Sequence, residues 1–376
     1  AAANEAGASV TAYFLAGRSM RWPSIGLSLF VSNIGSEHLV GLCGTAAASG
    51  VPVGTYEWSA AFHLLLLGYV FAPIYLRSGI TTLPEYLERR YSRTLRSLFS
   101  VVTLAIYIFT KLSVSVFSGA TVLHATLGWS KFGAALALVL LTAAYTALGG
   151  LAAVMVTDMA QSAVLLAGAM CLTVFGLAEV GGMAGLRGTP PDGMEQDEWA
   201  RFFHIYRPPS DAELPTLGLL LGQYASVWYW CMDQAQSRTQ RTPHAHAVTC
   251  SAVDQAIAQR VLSARSLPHA RAGCLLAGLL KITPVFLMVL PGVIARRLFP
   301  EEMASSTNEA LPLLMKRLLP AGMLGLMLAA VLAACMSSLD SVFTAATALF
   351  CIDIYQPYLR PAASEQHLVR VGRIFC

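Results

Sequence analysis

The sequence predicts an all-α membrane protein with about eight transmembrane helices, and three observations carry that prediction. Of 376 residues, 56% are hydrophobic and only 12% are charged, roughly half the charged share of an ordinary soluble domain. The apolar residues gather into runs of the length, roughly 20 residues, that a helix needs to cross a bilayer. Two of those runs are interrupted by polar residues and glycine, which lipid tolerates only where the backbone opens toward a cavity.

The runs fall at about 22–48, 56–77, 97–127, 131–149, 152–178, 216–234, 272–296 and 320–353. Lys and Arg in the short loops orient them. Arg18 and Arg21, the group Arg77, Arg89, Arg90, Arg93 and Arg96, then Arg260, Arg265 and Arg271, and finally Arg360, Arg370 and Arg373 all fall on one side. That side is expected to be cytoplasmic. The net charge of +4 is spread over loops, which gives no support to nucleic-acid binding, since that needs a concentrated basic patch. Most of the eight cysteines lie inside apolar runs, as small hydrophobes rather than a disulfide framework. Ala1 to Thr11 lacks the basic region of a signal peptide.

The first span runs Trp22 to Phe30, meets Ser32-Asn33-Ile34-Gly35-Ser36-Glu37-His38, and resumes at Leu39. The sixth contains Gly222-Gln223-Tyr224-Ala225-Ser226 before Trp228-Tyr229-Trp230. If spans one to five form one repeat, broken helices occupy matching places in two halves, the pattern expected around a transporter's central site. Charged residues sit inside the spans at Glu57, Lys111, Asp158, Asp233, Lys281 and Asp340. Each costs roughly 2.5–3.5 kcal/mol at a helix centre unless it faces the bundle interior, water or an opposite charge. For Glu57 and Asp158, near span ends, an interfacial position and an inward one are both open. Lys111 and Lys281 have apolar neighbours on both sides and are expected to face inward. A Glu–Lys pair beside Asn33 and His38 offers both donors and acceptors, which suits a hydroxyl-rich ligand. Sodium needs neutral or anionic oxygens, and a broken helix with nearby serines supplies them: carbonyls of Val31 and Ile34, hydroxyls of Ser337 and Ser338. Paired catalytic carboxylates, a nucleophile elbow and a metal framework are all missing from the spans, so an enzyme is not expected. His244, His246 and Cys250 lack a second ligand pair at zinc spacing.

Several stretches are recognisable. They include Tyr13-Phe-Leu-Ala-Gly-Arg18, Ser32 to His38, Tyr56-Glu-Trp58, Tyr107-Ile-Phe-Thr-Lys111, Thr157-Asp158, Trp228-Tyr-Trp-Cys-Met-Asp-Gln234, Gln259-Arg260, Leu280-Lys281 and Met336-Ser-Ser338. In this order they resemble the solute–sodium symporter family, in particular its sodium/glucose and sodium/myo-inositol cotransporter members. The resemblance implies a leucine-transporter-type five-plus-five inverted repeat with broken first and sixth core helices, worked by alternating access. It implies that Asn33, His38, Glu57, Ser226 and Lys281 line a sugar or polyol site, with Lys111 close by and Tyr229 as an aromatic gate. It places a sodium site at Val31, Ile34, Ala334, Ser337 and Ser338. Asp158, Asp340 and Ser341 fall where the family has a second ion site or exit path.

The family has a further span before Tyr13 and more spans after the eighth, so this chain reads as one transmembrane domain over 1–376, incomplete at both ends. Residues 235–255 interrupt a join that is practically contiguous in the family, and read as intron-derived or as an added loop. The cysteine-rich outer loop of the vertebrate sugar transporters has no counterpart between Phe299 and Leu311. The expected function is sodium-coupled symport of a sugar or polyol in the plasma membrane. Glu37 beside His38 and the Ser-Leu-Asp-Ser run at 338–341 lean toward the inositol type. A sensor or channel of the same fold, or an inactive fragment, is the alternative.

Overall fold

A computed structural model describes residues 9–211, Leu214, Thr216 and 254–376. Ser226, Tyr229, Asp233, the expected break in the sixth span and residues 235–253 lie outside the described residues. Apart from one isolated bridge between Met20 and Ala264, the described residues form helices, turns and loops.

Among the described residues, five helices are long and apolar enough to cross a bilayer: Val51–Ser78, Arg93–Leu127, Lys131–Glu179, Leu267–Leu298 and Ala321–Leu359. A further pair, Trp22–Ser32 and Ser36–Ser49, forms a span broken by a 56° bend. At 1.5 Å per residue an unbroken helix of 49 residues, Lys131–Glu179, would reach about 73 Å, far beyond a hydrocarbon core roughly 30 Å thick. It does not run straight. Gly150 has φ 59° and ψ −160°, so this element is two spans that meet at a tight turn. Seven of the eight expected spans are therefore accounted for among the described residues, and the remaining one, the sixth, falls almost wholly outside them.

Gly150 sits there because no other residue fits. Its backbone lies in a region essentially reserved for glycine, and a Cβ would meet the Tyr13 carbonyl oxygen at 2.6 Å. The turn is held from above by the Tyr13 hydroxyl, which donates to the Ala147 carbonyl at 3.0 Å. Gly150→Ala should cost on the order of 1–3 kcal/mol, read as a clear drop in melting temperature of the detergent-purified protein. An unchanged melting curve would remove Gly150 from this role.

The bundle is inside-out relative to a soluble protein. Phe62, Phe109, Phe117 and Phe132 are exposed on its outer faces, where lipid is the solvent, while Asp158, Arg260, Lys281 and Asp340 are fully buried. The first half of span one packs on Leu267–Leu280. The approach is close: a Cβ on Gly26 would lie 2.7 Å from Leu276 Cδ2, the small-residue contact that membrane helices use to bring backbones together. Residues beyond Gly150 run alongside Ala321–Ala348. Spans one, five and eight therefore meet at the centre.

Asp254 and Gln255 stand at the end of the 235–255 stretch, yet both are buried. The Asp254 carboxylate accepts from Ala256 N at 2.8 Å and opens the Gln255–Leu262 helix. The Gln255 side chain accepts from Leu83 N at 2.9 Å. These two residues belong to the helix they start.

Candidate ion and solute site

The break in span one is built by its own sequence. Asn33 ends the first half, its N–H turning back to the Phe30 carbonyl at 3.2 Å, and Ile34 N–H donates to the Val31 carbonyl at 3.0 Å. These tightened bonds replace the regular ladder over one turn. The second half restarts at Ser36 after Gly35, whose N–H donates to His38 Nδ1 at 3.3 Å. The Val31 carbonyl accepts from Ile34 and keeps a second lone pair for another partner.

Across from the break, the Met336–Ser341 stretch lies on an unbroken part of span eight. Its polar groups converge on Asp158 of span five. Ser337 donates to Asp158 Oδ1 at 2.8 Å, and Ser28 donates to Oδ2 at 2.5 Å. Arg260 donates from Nη2 to Oδ2 at 3.2 Å, from Nε to Ser28 Oγ at 2.7 Å, and from Nη2 to Ser341 Oγ at 2.7 Å. Asp340 accepts from the Tyr145 hydroxyl at 2.6 Å. A buried carboxylate needs such partners, because an unpaired charge away from water costs several kcal/mol. The arrangement also orients Ser337: a hydroxyl that spends its proton on Asp158 turns its lone pairs elsewhere, which is the state a bound cation requires.

The second polar knot is the ion pair of Lys281 and Glu57, with Nζ 2.8 Å from Oε2 and both side chains buried. Glu57 opens span two and Lys281 ends the first helical stretch of span seven, so the pair ties the two spans together. A third knot joins Lys111 and Tyr107 of span three to Asp254.

Between these knots lies a narrow cavity of about 10 Å³. It is lined by Asn33, Glu37, His38, Lys111, Asp254, Ser338 and Ser341, among others. The side chains close in tightly around it. Sugar-sized ligands need a pocket of roughly 300 Å³ or more, so the described residues must part to admit one.

The structure thus gathers Asn33, His38, Lys111, Ser338 and Ser341 around one space. Val31, Ile34, Ala334 and Ser337 are all buried in the spans beside it. Glu57 and Lys281 do not line the cavity, and Asp158 is drawn into the Arg260 network. Glu57 and Asp158 are both buried among the helices. Arg260 needs a correction: counted above as a loop cation, it is fully buried and serves Asp158. Sequence reasoning also missed Ser28, Tyr145 and Asp254. The one available signal was that an inward-facing Asp158 requires a cationic partner, and Arg260 stands in the recognisable Gln259-Arg260 pair.

A broken helix crossed by a serine-bearing span, with buried ion pairs on either side, defines a polytopic helical membrane protein organised around a central polar site. The chain belongs to the sodium:solute symporter family, whose model matches residues 13–376. It is 43% identical over 401 residues to "Sodium/glucose cotransporter 2" of Rattus norvegicus, which covers 98% of this chain and 57% of that protein. It is 40% identical over 402 residues to "Sodium/myo-inositol cotransporter" of Homo sapiens, at 98% and 53% coverage. The chain spans little more than half the length of these relatives. Among solved structures, a Na+-coupled sialic acid symporter in a substrate-bound outward-open state matches with a TM-score of 0.82 at 20% identity, covering 98% of this chain and 72% of the other. A nucleobase-cation-symport-1 family transporter in a closed conformation matches with a TM-score of 0.57 at 13% identity, covering 95% and 71%. The fold is the leucine-transporter-type inverted repeat.

Proposed function

We propose that this chain forms the ion- and solute-binding part of a plasma-membrane symporter that moves a sugar or polyol with sodium by alternating access. The observation that carries the reading is the crossing of the broken 31–36 segment with Ser337 and Ser338, next to a cavity rich in donors and acceptors. Sodium takes the oxygens of Val31, Ile34, Ala334, Ser337 and Ser338. The solute takes Asn33, His38 and Lys111, with Glu57 and Lys281 joining them as a pair when the site opens, and with Ser226 and Tyr229 completing it from span six. Asp158, Asp340 and Ser341 form a second ion site or exit path. Residues 1–376 make up one transmembrane domain, with 235–253 as an insertion. Relatives named for glucose and for myo-inositol transport support the substrate class.

Coupling follows from differential affinity. Sodium bridging spans one and eight favours one orientation of the bundle, and solute then permits the other; an ion without such a preference shifts nothing. The test is uptake of radiolabelled glucose, galactose and myo-inositol into cells or proteoliposomes, with sodium or choline outside. Sodium-driven accumulation of one of them is expected. Sodium current without accumulation would identify a channel or sensor instead.

Ser338→Ala tests the ion site. Loss of one sodium ligand should raise the sodium concentration for half-maximal uptake about three- to tenfold, with little change in solute KM at saturating sodium. Wild-type sodium activation in this variant would remove Ser338 from the site.

A further inference from the structure

The dipeptide Asp-Gln occurs twice, at 233–234 and at 254–255, and only the second copy lies among the described residues. We infer that Asp254 is a positioning residue that pins Lys111 beside the solute cavity and cancels its charge, so that the site selects an uncharged solute. The inference rests on the symport reading given above.

Span three carries a π-helical turn at Tyr107–Leu112. An extra residue in a helical turn re-aims the side chains on it, and such bulges recur at functional sites. Here the turn presents Tyr107 and Lys111 together. The Tyr107 hydroxyl donates to Asp254 Oδ1 and the Lys111 ammonium to Oδ2, while Ala256 N donates to Oδ1 at 2.8 Å. The Lys111 ammonium also lies 5.2 Å from the Tyr107 ring centre. Three donors from two elements therefore hold a carboxylate that is 3% exposed. Lys111 and Asp254 both line the cavity, together with Asn33 and His38.

A free lysine has a long, flexible stem and would lose much of its rotamer freedom on binding a solute. Pinned at its tip, it meets the solute in a fixed place. Pinning also fixes charge. Lys281 is matched by Glu57 and Lys111 by Asp254, so neither lysine offers an unmatched cation to a carboxylate-bearing solute. A neutral polyol needs no counter-ion and hydrogen-bonds to both partners.

The experiment compares Asp254→Asn, Asp254→Glu, Lys111→Met and Lys111→Met/Asp254→Asn, with Asp233→Asn as control. In Asp254→Asn, KM for the neutral solute should rise about tenfold with maximal rate within about twofold, and glucuronate should become a competitive inhibitor. Asp254→Glu should restore selectivity, and Asp233→Asn should match wild type. The double variant should be less impaired than the two singles multiplied. Equal effects at 233 and 254, or an Asp254→Asn protein still indifferent to glucuronate, would overturn the assignment. The same four-way comparison of melting temperatures in detergent reads the ion pair without transport. Additive shifts would overturn the pairing; coupled shifts in a chain showing no sodium-dependent uptake would keep the pairing and defeat the symport reading instead.

Discussion

Lys281→Ala is expected to reduce sodium-driven solute uptake at least a hundredfold. Its ammonium lies 2.8 Å from Glu57 in a contact with both side chains buried. Removing one partner leaves the other charge stranded away from water, a loss of about 3–5 kcal/mol, and each 1.4 kcal/mol is about a factor of ten. Part of that loss is plain instability, and a second variant separates the two effects. Lys281→Met/Glu57→Gln removes both charges, so melting temperature should return close to wild type while uptake stays low. Recovery of uptake in the double variant would show that the pair only braces spans two and seven.

Asp158→Asn should act on sodium rather than on solute. The Asp158 carboxylate takes hydrogen bonds from Ser28, Ser337 and Arg260. The amide keeps the shape but turns a donor toward groups that are themselves donors, and it leaves the Arg260 guanidinium without its counter-charge. Ser337 then loses the bond that aims its lone pairs. The sodium concentration for half-maximal uptake should rise tenfold or more, while solute KM at saturating sodium changes less than about threefold. Flux assays across a sodium series check this. A wild-type sodium curve would disconnect Asp158 from the ion.

The spans were legible because lipid leaves so few options. A run near 20 apolar residues reads as a crossing, and the expected ends at 149 and 152 bracket Gly150, where the structure turns. The break at 32–36 was legible for the same reason: polar residues around a glycine at that depth have one tolerated geometry. Pairings were not legible. Asp158 meets Ser28, Arg260 and Ser337 from three other elements, and no local pattern marks which distant donor a buried carboxylate receives. Counting Arg260 among loop cations was the natural error, since it lies near a span end and only packing shows it turned inward. Asp254 was hidden by its twin at 233.

By itself, then, the sequence determined that this is a membrane protein, where its helices cross and where one of them breaks. Those properties follow from the cost of exposing backbone and charge to hydrocarbon, which acts on each segment separately. The tertiary structure decided which charge meets which, and which side chains share a cavity. Those outcomes depend on how spans far apart in the chain are packed together, and Coulomb and hydrogen-bond energies change steeply over an ångström or two.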